Sequence, residues 1–190
     1  MLTLVSGGSA SGKSEFAESL VVSSPCTQRF YLATMIAFDE ECRRRIARHR
    51  RMRAEKNFET IEIPIGLENL SFPQEDGVDS VQNRCALLEC MSNLVANEFF
   101  SDKLQSIAVC ERTETVVQQV MRGVKRLAKS FGEVIIVTNE LFSDGIDYDE
   151  GTREYLSALG KINQEIAARA DRVIEVVAGI PVVWKGAQES

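Results

Sequence analysis

The segment Gly7-Gly8-Ser9-Ala10-Ser11-Gly12-Lys13-Ser14 constrains this chain more than any other feature, because it fits G-x-x-x-x-G-K-[ST] between an apolar run and a helical one. Leu2–Val5 reads as a short strand. From Lys13 to Val22 the apolar residues Phe16, Ala17, Leu20 and Val21 recur at helical spacing. Glycines let the backbone curl so that successive N–H groups face phosphate oxygens. Lys13 adds a point charge, and the Ser14 hydroxyl is placed to ligate Mg²⁺. The alternative, a chance glycine-rich turn, does not account for the strand before it and the helix after it.

The rest of the chain continues the alternation. Strands are expected at Phe30–Ala33, Phe58–Ile63, Cys85–Glu89 and Val134–Thr138, and helices at Phe38–Lys56, Ser92–Phe100, Thr113–Phe131 and Thr152–Ala170. Gly66–Asn83 mixes proline, glycine and acidic residues and reads as a loop with room for one short helix. Such a pattern implies an α/β fold: a mostly parallel sheet with helices on both faces and ligands gathered at the carboxyl ends of the strands. The last strands, Val173–Val177 and Pro181–Trp184, are separated only by Ala178-Gly179-Ile180, too few residues for a parallel crossover. They are expected to form an antiparallel C-terminal edge hairpin. Together with the glycine loop this predicts a P-loop NTPase-like (RecA-like) fold, with residues 1–190 as a single P-loop α/β domain.

Charge and cysteine usage narrow the function classes. A net charge of −6 argues against general nucleic-acid binding, which needs a basic face. Cys26, Cys42, Cys85, Cys90 and Cys110 include no C-x-x-C pair and lie near no histidine, so they predict buried reduced thiols rather than disulfides or zinc. The apolar stretches fall far short of the roughly 20 residues a membrane helix needs. Met1 runs directly into the first strand with no signal-peptide pattern, so a cytoplasmic protein with no membrane span is expected.

A phosphate loop needs a second acidic group at the end of a neighbouring strand to hold hydrated magnesium, and Glu89 is the candidate. A strand-end carboxylate that is merely solvated is the competing view. His49 is the only histidine and lies within Arg43-Arg44-Arg45-Ile46-Ala47-Arg48-His49-Arg50-Arg51-Met52-Arg53. One reading is a solvated basic helix with an incidental histidine. The other is an anion site, in which guanidinium groups bind phosphate oxygens and neighbouring cations favour the neutral, nucleophilic imidazole.

Read in order, these residues resemble the bifunctional adenosylcobinamide kinase/adenosylcobinamide-phosphate guanylyltransferase family. The resemblance is carried by Gly7–Ser14, Tyr31-Leu32-Ala33-Thr34, Arg45-Ile46 with His49, Arg53, Thr60-Ile61-Glu62 and Leu87-Leu88-Glu89-Cys90. It continues through Val137-Thr138-Asn139-Glu140, Leu159-Gly160-Lys161-Ile162-Asn163-Gln164 and Ala178-Gly179-Ile180-Pro181. It implies phosphorylation of the adenosylcobinamide hydroxyl, with ATP or GTP as donor, and then transfer of GMP from GTP onto that phosphate through a guanylated His49. It further implies that Ala33, Thr34, Met35, Arg50, Arg51, Met52, Arg53, Glu62 and Glu89 line the GTP site, that Lys13 and Mg²⁺ on Ser14 and Glu89 stabilise charge, and that the chain forms a trimer.

The chain departs from that pattern at Ala10, where the family carries an arginine, at Ala54 for a proline and at Phe58 for a tryptophan. It departs again over Leu141–Tyr148, which adds Asp144 and Asp147. Two alternatives therefore stay open: a P-loop small-molecule kinase without guanylyl transfer, and a divergent nucleotide-binding regulatory protein without turnover.

Overall fold

The computed structural model describes residues 1–37, 40–53, 56–72, 81–141 and 148–186; the description excludes the side chains of Glu41, Cys42, Arg45, Arg48, His49, Met52, Arg53 and Cys110. Seven strands form one sheet: β1 (Leu2–Ser6), β2 (Gln28–Ala33), β3 (Phe58–Glu62), β4 (Arg84–Glu89), β5 (Glu133–Val137), β6 (Arg172–Val177) and β7 (Ile180–Lys185). Their order is β3-β2-β4-β5-β1-β6-β7. Every neighbouring pair is parallel except β6 and β7. The described helices are α1 (Lys13–Ser23), α2 (Glu40–Arg53), α3 (Met91–Phe99), α4 (Val109–Ser130) and α5 (Glu150–Arg169).

The central strands are buried on both faces, which is why β5 reads as the continuous run Val134-Ile135-Ile136-Val137 instead of an alternating one. On one face, Ala17 and Val21 of α1 pack with Val5, Leu87, Ile135 and Val137. On the other, α3, α4 and α5 contribute Leu94, Val120 and Leu159 to a larger core with Leu4, Leu88 and Ile136. Leu67–Asn69, inside the expected loop, forms one turn of 3₁₀ helix whose Leu67 is fully packed against α4.

Two helices start earlier than their apolar periodicity indicates. α4 begins at Val109, not Thr113, because the Ala108 carbonyl accepts from the N–H groups of Glu111 and Arg112 at 2.9 and 3.1 Å. α5 begins at Glu150, not Thr152, because Asp149 caps it: its carboxylate accepts from Thr152 N at 2.9 Å and from the Thr152 hydroxyl at 2.7 Å. Both starts are set by hydrogen bonds to first-turn N–H groups, which hydrophobic spacing does not register.

The expected edge hairpin is present. Its two-residue turn, Ala178-Gly179, has φ of 49° and 82°, the left-handed pair that matches the strand twist. Gly179 N also donates to Ser11 O at 2.8 Å, so the tip of the hairpin buttresses the glycine loop. Cys26, Cys85 and Cys90 are buried free thiols; Cys42 and Cys110 fall outside the described side chains. No described helix is long and apolar enough to cross a membrane.

Candidate active site

The glycine loop leaves β1 and feeds α1 through Gly12, at φ 90°, a conformation that glycine adopts without steric cost. Lys13 is largely buried and donates to the Gly8 carbonyl at 2.9 Å, which aims its stem along the loop. The Ser11 hydroxyl oxygen is buried without a partner among the described residues.

At the end of β4, the two carboxylate oxygens of Glu89 have different donors. The Ser14 hydroxyl bonds to Oε1 and the Tyr31 hydroxyl to Oε2 at 3.1 Å. Register makes this meeting possible: Ala33 on β2 pairs with Glu89, so both strands end at the same level. Strand β5 stands between the loop-bearing β1 and the carboxylate-bearing β4, which leaves a gap at the carboxyl ends above it.

A cavity of about 530 Å³ opens there. Lys13, Ser14, Glu89 and Tyr31 form one part of its wall, while Arg43, Ile46, Ala47 and Arg50 of α2 supply another. Thr60 and Glu62 of β3 line it too, and Arg50 forms an ion pair with Glu62 across it. Both partners of that pair are more than half exposed, so the pair is worth well under about 1 kcal/mol and leaves both groups available to a ligand.

Of the residues singled out in the sequence, Lys13, Ser14, Ala33, Met35, Arg50, Glu62 and Glu89 line the cavity together. Thr34 does not: it is fully buried, its hydroxyl donating to Cys90 O at 2.9 Å and accepting from Cys90 N at 2.7 Å, so it braces the junction of β2 and β4. Arg51 is exposed and lies outside the cavity lining. His49, Met52 and Arg53 ride on α2, and their side chains lie outside the described set. Sequence reasoning did not select Tyr31, Asn93 or Asn139, all of which line the cavity. The available signals were a tyrosine set among apolar residues and the stretch Val137-Thr138-Asn139-Glu140, which carries the family resemblance. Cys90 also lines it, and burial raises its thiol above the ordinary value, so it presents a neutral group.

Ser14 and Glu89 fit magnesium by chemistry. Mg²⁺ takes one or two protein oxygens and completes its octahedron with water and phosphate, and a hydroxyl beside a carboxylate at the loop is such a pair. No set of three His, Cys, Asp or Glu side chains gathers among the described residues.

This architecture defines a class, the P-loop nucleotide enzymes, in the RecA-like arrangement with one strand between loop and carboxylate. Comparison with known proteins narrows it. A family model for cobinamide kinase / cobinamide phosphate guanyltransferase matches residues 3–184, and the chain belongs to that family. It is 32% identical over 192 residues to the bifunctional adenosylcobalamin biosynthesis protein CobU of Escherichia coli, covering 97% of this chain and 100% of that protein. It is also 32% identical over 187 residues to the bifunctional adenosylcobalamin biosynthesis protein CobP of Pseudomonas aeruginosa, covering 98% of each. Among solved structures it is similar to the flagellar accessory protein FlaH from Methanocaldococcus jannaschii, with a TM-score of 0.48, 13% identity and coverage of 99% of this chain and 81% of that one.

Proposed function

We propose that this chain phosphorylates the hydroxyl of adenosylcobinamide and then transfers GMP from GTP to the resulting phosphate, with His49 as the guanylyl carrier. One observation carries the reading: α2, the helix on which His49 sits, lines the same cavity as Lys13, Ser14 and Glu89. A basic helix with no part in phosphate chemistry has no reason to share a wall with the glycine loop. The family and both relatives support the two-step assignment.

In the phosphorylation step the loop amides and Lys13 hold the donor phosphates while charge spreads over the transferring group. In the guanylyl step an imidazole nitrogen of His49 attacks the α-phosphorus of GTP. The N–P bond forms as the bond to pyrophosphate breaks; the phosphate of the cobinamide then attacks the same phosphorus and frees the imidazole. Arg43 and Arg50, on the cavity wall, offset charge on the phosphates. Ser14 and Glu89 would hold Mg²⁺, which supplies charge neutralisation at the phosphates. The trimer and the cytoplasmic location complete the reading and are open to measurement by light scattering and cell fractionation.

The test is turnover. Purified protein incubated with adenosylcobinamide, ATP, GTP and Mg²⁺ is expected to yield the phosphate ester and then the GDP-linked corrinoid, identified by product mass. Accumulation of the ester alone would leave a kinase without guanylyl transfer, and absence of both products would overturn the proposal.

A further inference from the structure

Asn139 belongs to none of the roles above, yet it lines the cavity with Lys13, Ser14 and Glu89. It follows β5, the strand that separates the loop from the carboxylate. Its flanking residues fix its backbone: Thr138 N donates to Val5 O at 2.9 Å and Glu140 N donates to Gly7 O at 3.1 Å, both on the segment entering the glycine loop. A side chain held there lines the cavity beside Lys13 and Ser14 of the loop.

The amide is held from behind. Asn139 Nδ2 donates to the Ser92 hydroxyl at 2.7 Å, and Ser92 Oγ in turn lies 3.1 Å from Cys90 Sγ. Ser92 is itself 3% exposed, and the Tyr155 hydroxyl bonds to its carbonyl at 3.3 Å. Asn139 Nδ2 also donates to Cys90 Sγ at 3.9 Å, so the nitrogen faces this relay and Oδ1 remains without a partner among the described residues. An amide oxygen accepts and never donates. Phosphate oxygens are acceptors as well, so this atom is unsuited to a phosphate oxygen and suited to an O–H group. Glu89 accepts from Ser14 and Tyr31 and is assigned to Mg²⁺, which leaves Asn139 Oδ1 as the acceptor for that task.

We infer that Asn139 Oδ1 accepts the hydroxyl of the phosphoryl acceptor and turns that oxygen toward the terminal phosphorus; the inference rests on the kinase half of the proposed function. The amide carbonyl is no base. It orients the nucleophile while the new O–P bond forms and the bridging P–O bond to the departing diphosphate breaks. The hydroxyl proton passes to an oxygen of the transferred phosphoryl group.

Asn139→Ala and Asn139→Asp separate this role from others, because aspartate keeps an acceptor oxygen while adding negative charge. Loss of orientation costs on the order of 10²-fold. The alanine variant is therefore expected to lose about that factor in kcat/KM for adenosylcobinamide, with the loss split between kcat and the acceptor KM and not in the nucleotide KM. The aspartate variant is expected to recover most of it. An amide that instead donated to phosphate would make aspartate at least as damaging as alanine, and that result overturns the inference. Unfolding midpoints accompany both variants, and Asn139→Ser replaces alanine if alanine does not fold. The same comparison is run on nucleotide hydrolysis, with water as the acceptor O–H. Failure of the unsubstituted chain to use the corrinoid strikes the proposed function, whereas equal rates for it and the alanine variant in the hydrolysis assay strike Asn139.

Discussion

The Ser14 hydroxyl, in the first turn of α1, donates to Oε1 of Glu89 at the end of β4, a residue 75 positions further along the chain. With Tyr31 on the other oxygen, the carboxylate is fixed from two sides beside the glycine loop. The catalytic gap is therefore assembled from a local motif and a distant strand end.

Glu89→Gln tests that assembly, since it keeps the shape and removes the charge. The Mg²⁺ concentration for half-maximal turnover is expected to rise by about 10-fold or more, the usual penalty for weakening a metal's supporting groups. An unchanged magnesium titration would mean that the carboxylate serves only packing.

Gly12→Ala places a side chain at φ 90°, with its Cβ 3.4 Å from Gly179 Cα. Left-handed backbone costs an L-residue about 1–2 kcal/mol, and the strain falls on the residue before Lys13. The unfolding free energy, read by urea denaturation, is expected to fall by that amount, with nucleotide affinity, read by titration of a fluorescent analogue, reduced as well.

Gly123→Ala reads packing alone, far from the chemistry. Alanine favours a helix over glycine by about 1 kcal/mol, yet its Cβ here would lie 2.7 Å from Leu67 Cγ and 2.9 Å from Leu67 Cβ. Overpacking of this kind costs about 1–3 kcal/mol. Urea denaturation is expected to show a less stable variant, and a stabilised one would contradict the tight seat of Leu67 on α4.

Alkaline pH should weaken the fold. Burial, helped by the Glu133 carboxylate, pushes the Cys85 thiol from 9.0 to about 12, and burial pushes Tyr155 from 10.0 to about 12. Between those values the unfolded chain has released protons that the folded chain still holds, so stability falls as pH rises above about 9. Cys85→Ala removes one of the two groups and is expected to flatten the decline, measured by denaturant midpoint against pH.

How much of this was readable in advance follows the range of each interaction. The strand, glycine loop and α1 are a local pattern, and the β6–β7 hairpin follows from a gap too short for any crossover. Both stand in the sequence. The starts of α4 and α5 do not, because Ala108 and Asp149 set them through capping bonds that periodicity ignores. Glu89 was found because phosphate-loop chemistry asks for a carboxylate at a strand end. Tyr31 and Asn139 stand in stretches that carry the resemblance but take no site role from the sequence, because their partners, Glu89 and Ser92, lie 58 and 47 residues away and meet them only in the folded chain. Glu18 shows the same limit: it is buried on α1 and paired with Lys56 at 2.5 Å, 38 residues on, a contact that helical spacing alone does not reveal.

The most direct measurement is the mass of the intact chain after incubation with GTP and Mg²⁺, followed by peptide mapping. The account predicts one added GMP unit on the peptide containing His49, lost on mild acid treatment and absent from His49→Asn. An adduct on another residue, one that survives His49→Asn, or none at all in a chain that still makes the GDP-linked corrinoid, would contradict it.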